Sequence, residues 1–135
     1  MTDILRWPNE LLKTPVPKFD FEKHNAVVIA NQLAEAMLEH EGIGLAANQI
    51  GLPFRAFAIM AEQIIVMFNP ILVDASEESS YIVEGCLSSP NLFLNVKRPN
   101  SIRVRWAQPN GEVETREFGG ITARVIQHEL PWPLS

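Results

Sequence analysis

The sequence predicts an α+β domain, and three patterns predict it: an amphipathic helix before residue 41, short apolar and β-branched runs beyond Pro53, and a second helical stretch ending at Pro131. Helix, then several strands, then helix, without regular β-α-β alternation, is the order of an α+β domain. With 135 residues, 47% of them hydrophobic, the chain is long enough to bury one core and is expected to be a single domain over residues 1–135.

Residues 1–24 carry Pro8, Pro15 and Pro17 among Leu11, Leu12, Val16 and Phe19, a composition that suits an extended arm laid over a core. From Asn25 to His40, the residues Val28, Ile29, Leu33, Met37 and Leu38 recur at three- to four-residue spacing with Gln32, Glu35 and Glu39 between them, the pattern of an amphipathic helix. Asn25 offers an N-cap and Gly42 a stop. Residues 54–60, 64–68 and 102–106 read as strands; in the last, Ile102, Val104 and Trp106 alternate with Arg103 and Arg105. Pro109-Asn110-Gly111 lies between that run and residues 112–118, which predicts a hairpin. The final helix starts near Gly119-Gly120 and runs through Ile121, Val125 and Ile126 to Leu130, because the ring of Pro131 excludes continuation.

Charge and cysteine content narrow the function classes. Eleven Lys and Arg against sixteen Asp and Glu give a net charge of −5, the opposite of the basic footprint of a phosphate-tracking protein, so direct nucleic-acid binding is not expected. The single cysteine, Cys86, cannot form an intramolecular disulfide, which suits a reducing compartment. No signal peptide is readable at the N-terminus, and no apolar run approaches the ~20 residues of a membrane span. A soluble, cytoplasmic protein is the expectation. The ten prolines are scattered, and no internal repeat is present.

Three segments carry chemistry-bearing residues. In Gly42-Ile43-Gly44-Leu45-Ala46-Ala47-Asn48-Gln49, small residues allow close backbone approach and Gln49 offers an amide donor; alone, the segment reads first as a helix stop followed by a tight bend. In Glu84-Gly85-Cys86-Leu87-Ser88 a thiolate suits a borderline metal ion, although a solitary cysteine is commonly a small buried hydrophobe. Gln127-His128-Glu129 is half of a His-Glu-x-x-His pattern, in which the imidazoles hold a metal and the glutamate acts as base; four residues past His128 stands Trp132. By itself a His-Glu pair near a chain end is a common solvated helix terminus.

Taken together and in this order, Gly-Ile-Gly-Leu-Ala-Ala-x-Gln, Glu-Gly-Cys-Leu-Ser and Gln-His-Glu resemble the three motifs of the peptide deformylase family. The resemblance extends to Trp7-Pro8-Asn9-Glu10-Leu11-Leu12, similar to the family's N-terminal arm, to Phe68-Asn69-Pro70, similar to its strand-end Asn-Pro, and to Val96-Lys97-Arg98 after the cysteine motif. It implies a fold of antiparallel and mixed strands packed around a central C-terminal helix. It also implies hydrolysis of the N-formyl group from formylmethionine at the start of new polypeptides, using one divalent metal ion: natively Fe²⁺, with Zn²⁺, Ni²⁺ or Co²⁺ as substitutes. Cys86 and His128 would be metal ligands, Glu129 the general base, and the Gln49 amide and Leu87 backbone N–H the donors to the developing oxyanion. The peptide would lie extended against Ile43-Gly44 and Gly85, with its methionine side chain among Ile43, Ile121 and Val125, near Glu84 and Arg98.

One departure stands out. Family members continue the third motif as His-Glu-x-Asp-His, whereas this chain reads His128-Glu129-Leu130-Pro131-Trp132, so Trp132 occupies the place of the second metal histidine. Open candidates for the missing ligand are His24, His40, the Ser135 carboxylate, a further water or a group from a second subunit; His24 and His40 read as exposed residues flanking the first helix. An altered end of the reading frame would also account for residues 130–135. Without the family's C-terminal extension, ribosome contact would use another surface or be dispensable, and a short enzyme of this kind suits a compact genome such as a virus's. Two further readings follow. One is a deformylase-like module that binds formyl-Met peptides without cleaving them, and the other is a protein in which Cys86 acts as a redox or structural thiol.

Overall fold

A computed structural model describes residues 17–86 and 89–129, apart from the side chains at 80–98 and at 128. The expected arm over residues 1–24 lies largely outside these bounds, as does the Trp7–Leu12 resemblance, but its last part is visible: Phe19 is buried and anchors residues 17–24 to the core.

Helix α1, Ala26–Glu39, starts where the local chemistry places it. The Asn25 side-chain oxygen accepts from the N–H groups of Val27 and Val28 at 3.1 and 3.3 Å, satisfying two donors that the helix leaves without intrahelical partners. The buried face differs from expectation. Ala26, Ala30, Leu33, Ala36 and Met37 face inward, while Val28 and Leu38 stay exposed. The helix turns its small residues inward, with Leu33 and Met37 between them, and leaves two larger ones in solvent. The stop also differs: Glu41, at φ 53°, takes the left-handed position expected of a glycine. Its N–H donates to Leu38 O and the Gly42 N–H to Met37 O at 2.9 Å, which closes the helix in a Schellman arrangement one residue before Gly42.

Five strands form one sheet in the order β1-β2-β3-β6-β7: β1 Gly44–Ala46, β2 Ala56–Met60, β3 Ile64–Ala75, β6 Ser101–Ala107 and β7 Val113–Gly119. Strands β4, Ser79–Cys86, and β5, Ser89–Pro99, form a separate two-stranded ribbon. Every pairing among the described residues is antiparallel, so the mixed component expected of the sheet is absent there.

Sequence patterning located β2, β6 and β7 within two residues, but β3 runs seven residues past its expected end. Asn69-Pro70 does not close the strand. It sits at a register shift between Phe68 and Ile71, where Pro70, lacking an N–H, breaks no ladder bond. Asn69, at φ 50°, reaches across to the N-terminal segment: Phe19 N–H donates to its Oδ1 at 2.7 Å, and its Nδ2 donates to Phe19 O at 3.0 Å. Phe54 precedes β2 instead of beginning it, because its ring packs edge-on against Phe19 and the Arg55 N–H donates to Pro17 O. The hairpin at 109–111 forms as predicted. Gly111 N–H donates to Gln108 O at 2.8 Å, and Gly111 at φ 87° supplies the left-handed residue of a three-residue loop.

Alternation along the strands divides the core in two. Ala46, Phe57, Ile59, Met67, Val104 and Trp106 face helix α2, Gly120–Glu129, with its Ala123 and Ile126. Leu45, Ala56, Ala58 and Phe68 face α1. The last helix therefore lies against one face of the sheet, beside the short edge strand β1.

Candidate active site

Glycine 44 is where the first and third segments meet. β1 is buried at all three positions, and its alternation puts Gly44 on the same face as Ala46, toward α2. A Cβ placed on Gly44 would lie 2.7 Å from Val125 Cγ1 and 3.1 Å from both Cγ and Oε1 of Glu129. Ile121, Val125 and Glu129 recur every four residues, so they form one stripe along α2. Along that stripe exposure falls steeply, from 70% at Ile121 through a half-buried Val125 to 6% at Glu129. A carboxylate at the buried end of an otherwise apolar stripe is desolvated and must be held by polar neighbours.

Immediately after β1 the chain tightens into a 3₁₀ turn over Ala47–Ile50. The turn folds Gln49 back so that its Oε1 accepts from the Ala46 N–H at 2.9 Å. With the oxygen anchored, the carboxamide plane is fixed and its NH₂ is presented away from Ala46. Gln49 is itself buried. Ile43, by contrast, is 56% exposed beside the edge strand, with its carbonyl accepting from Met60 N–H at 2.9 Å.

The second segment ends strand β4. Glu84 pairs with Leu94 and Gly85 with Phe93, and a register shift follows before Cys86 pairs with Ser89. Arg98 stands opposite Ser80, four places along the ribbon from Glu84, roughly 13 Å at strand rise. Register therefore does not set the two side by side. Leu87 lies outside the described residues, as do Trp132, the Ser135 carboxylate and the separation of the Cys86 and His128 side chains. His128 itself is placed in the last turn of α2.

One polar contact near the site was not foreseen. Gln127, 8% exposed, donates from Nε2 to Pro99 O at 3.0 Å and to Ala123 O at 3.1 Å, tying the last turns of α2 to the end of β5. Its place beside His128 was the only signal, since the partner carbonyl is 28 residues away. Among the alternative ligands, His24 is exposed and packs against Phe54 with the rings tilted at 55° and their centroids 4.6 Å apart, which joins it to the aromatic cluster around Phe19; His40 is half-buried at the end of α1. Among the described residues no three His, Cys, Asp or Glu side chains gather as a metal cluster.

A family profile described as polypeptide deformylase matches residues 1–131. A peptide deformylase of Synechocystis sp. is 34% identical over 128 residues, covering 90% of this chain and 68% of that protein. The crystal structure of a probable peptide deformylase from Synechococcus phage S-SSM7 superposes with a TM-score of 0.88 at 32% identity, covering 96% of this chain and 92% of the other. A peptide deformylase of Acinetobacter baumannii crystallised with Met-Ala-Ser superposes with a TM-score of 0.89 at 26% identity, covering 96% and 92%. With the profile spanning nearly the whole sequence and a relative at 34% identity, the chain belongs to the polypeptide deformylase family.

Proposed function

We propose that the chain removes the N-formyl group from N-formylmethionyl peptides and nascent chains in the cytoplasm, with Fe²⁺ as its native metal and Zn²⁺, Ni²⁺ or Co²⁺ able to replace it. The observation that carries this reading is the seating of a buried carboxylate, Glu129, against Gly44 of the glycine-rich segment. That contact unites two segments about 80 residues apart that the family's chemistry needs together.

The donor chemistry fits a borderline divalent ion: Cys86 offers a thiolate and His128 an imidazole, and these two would hold it. When bound, such an ion supplies Lewis acidity and lowers the pKa of water at the site. Trp132 withholds the third protein ligand of the family pattern, which predicts weaker metal retention than a three-ligand site. Glu129 takes the proton from the attacking water and returns it to the departing amine. Gln49, its oxygen already committed to Ala46, directs its NH₂ at the oxyanion that forms as the formyl carbon becomes tetrahedral, and the Leu87 N–H is the second donor. Among the described residues β1 is the edge strand of its sheet, and that edge, with Ile43 just before it and Gly85, receives the peptide backbone as an added strand, while Ile43, Ile121 and Val125 line the methionine side-chain site near Glu84 and Arg98. The Met-Ala-Ser seen on the Acinetobacter relative supports a methionyl peptide as ligand.

The test is formate release from formyl-Met-Ala-Ser with Fe²⁺ or Ni²⁺ supplied. Turnover in the wild-type chain and its loss in Glu129→Ala is the expected result; equal formate from both proteins defeats the proposal. Trp132 favours a second reading, a formyl-Met peptide binder without turnover. Peptide binding that survives chelation, with no formate formed, supports that reading.

A further inference from the structure

We infer that Gly44 is a positioning residue for Glu129: the missing side chain at position 44 is the seat that holds the carboxylate. This rests on the reading of Glu129 as the base. Position 44 faces α2, and the space a Cβ would fill is taken up by Val125 Cγ1 at 2.7 Å and by Glu129 Cγ and Oε1, each at 3.1 Å. Carbon pairs pack at about 3.5–4.0 Å, so a methyl group at 44 fits only if a neighbour moves. Val125 is β-branched on a helix and has one favoured rotamer, whereas Glu129 has several rotatable bonds. The 2.7 Å contact has to be relieved at Val125 itself or by the backbone, and the two 3.1 Å contacts push the flexible Glu129 carboxylate aside by a few tenths of an ångström. Helical side chains also lean toward the preceding turn, which keeps Glu129 over Val125 and directly above position 44.

The same glycine stands in the strand that the peptide is expected to join, and that role alone leads to a different outcome. Loss of backbone pairing raises KM. Loss of the Glu129 seat lowers kcat, because a misplacement of about 1 Å in a reacting group costs on the order of 10²-fold in rate.

Gly44→Ala, Val125→Ala and the double variant, assayed for formate release beside the wild type, separate the two. The expected result is a kcat lowered on the order of 10- to 100-fold by Gly44→Ala in either Val125 background, with KM changed by less than about threefold. Relief of the Val125 clash should restore the thermal midpoint in the double variant but not kcat. A Gly44→Ala effect confined to KM, or kcat recovered in the double variant, overturns the inference. A crystal structure of the double variant provides a readout independent of turnover. Displacement of the Glu129 carboxylate from its wild-type position supports the inference, and an unmoved carboxylate overturns it even if the wild-type chain releases no formate.

Discussion

Gln49 shows how a single side chain becomes specific through its neighbours. Its carboxamide oxygen is held by the Ala46 N–H at 2.9 Å, so the role left to it at the site is that of a donor. Glutamate at this position keeps the acceptor and removes the donor. Gln49→Glu is therefore expected to lower the thermal midpoint, since it sets a carboxylate at a buried position, and to lower kcat for formate release on the order of 10²- to 10³-fold, the usual cost of one oxyanion donor. An unchanged kcat in that assay would show that the amide faces something other than the reacting carbonyl. The residue types were legible in Gly-Ile-Gly-Leu-Ala-Ala-x-Gln, and so was the need for small residues. The hydrogen bond was not, because it depends on the 3₁₀ turn that folds Gln49 back on Ala46. Nor was the reason for Gly44, since Val125 and Glu129 come about 80 residues later.

Elements were legible where their limits are local. The Asn25 cap and the Pro109-Asn110-Gly111 hairpin are written in three or four consecutive residues, and both form as read. The length of β3 was not legible, because its continuation past Pro70 depends on Asn69 bridging to the backbone of Phe19, fifty residues earlier. The face of α1 was misread for a related reason: larger apolar residues signal burial in a sequence, yet Ala26, Ala30 and Ala36 take buried positions beside Leu33 and Met37. The end of α1 leads to a prediction. Glu41 occupies a left-handed conformation at φ 53° within an otherwise regular Schellman closure. Glycine carries no Cβ penalty there, and part of the gain is offset by its freer unfolded chain, so Glu41→Gly is expected to stabilise the fold by about 0.5–1 kcal/mol in denaturant unfolding. A destabilised variant would mean that the Glu41 side chain contributes more than its backbone strain costs.

At the scale of the molecule, helix α2 links the sheet to the ribbon that bears the cysteine. One side of α2 packs Ala123 and Ile126 into the sheet, its stripe of Ile121, Val125 and Glu129 runs past β1, and Gln127 grips the end of β5. Among the described residues no helix is long and apolar enough to cross a membrane. The family was legible because its three segments are short and ordered, and the antiparallel sheet with its C-terminal helix followed from that resemblance. The β4–β5 ribbon was not readable as strands, since residues 79–99 show neither strict alternation nor a clear turn signal. The account's central claim is that the ribbon and α2 bring Cys86 and His128 to one cation beside Glu129. Anomalous diffraction from crystals soaked in Zn²⁺ tests it most directly. The predicted result is a single peak about 2.3 Å from the Cys86 sulfur and about 2.0–2.1 Å from a His128 ring nitrogen. A peak elsewhere, or the two side chains too far apart to share an ion, would contradict it.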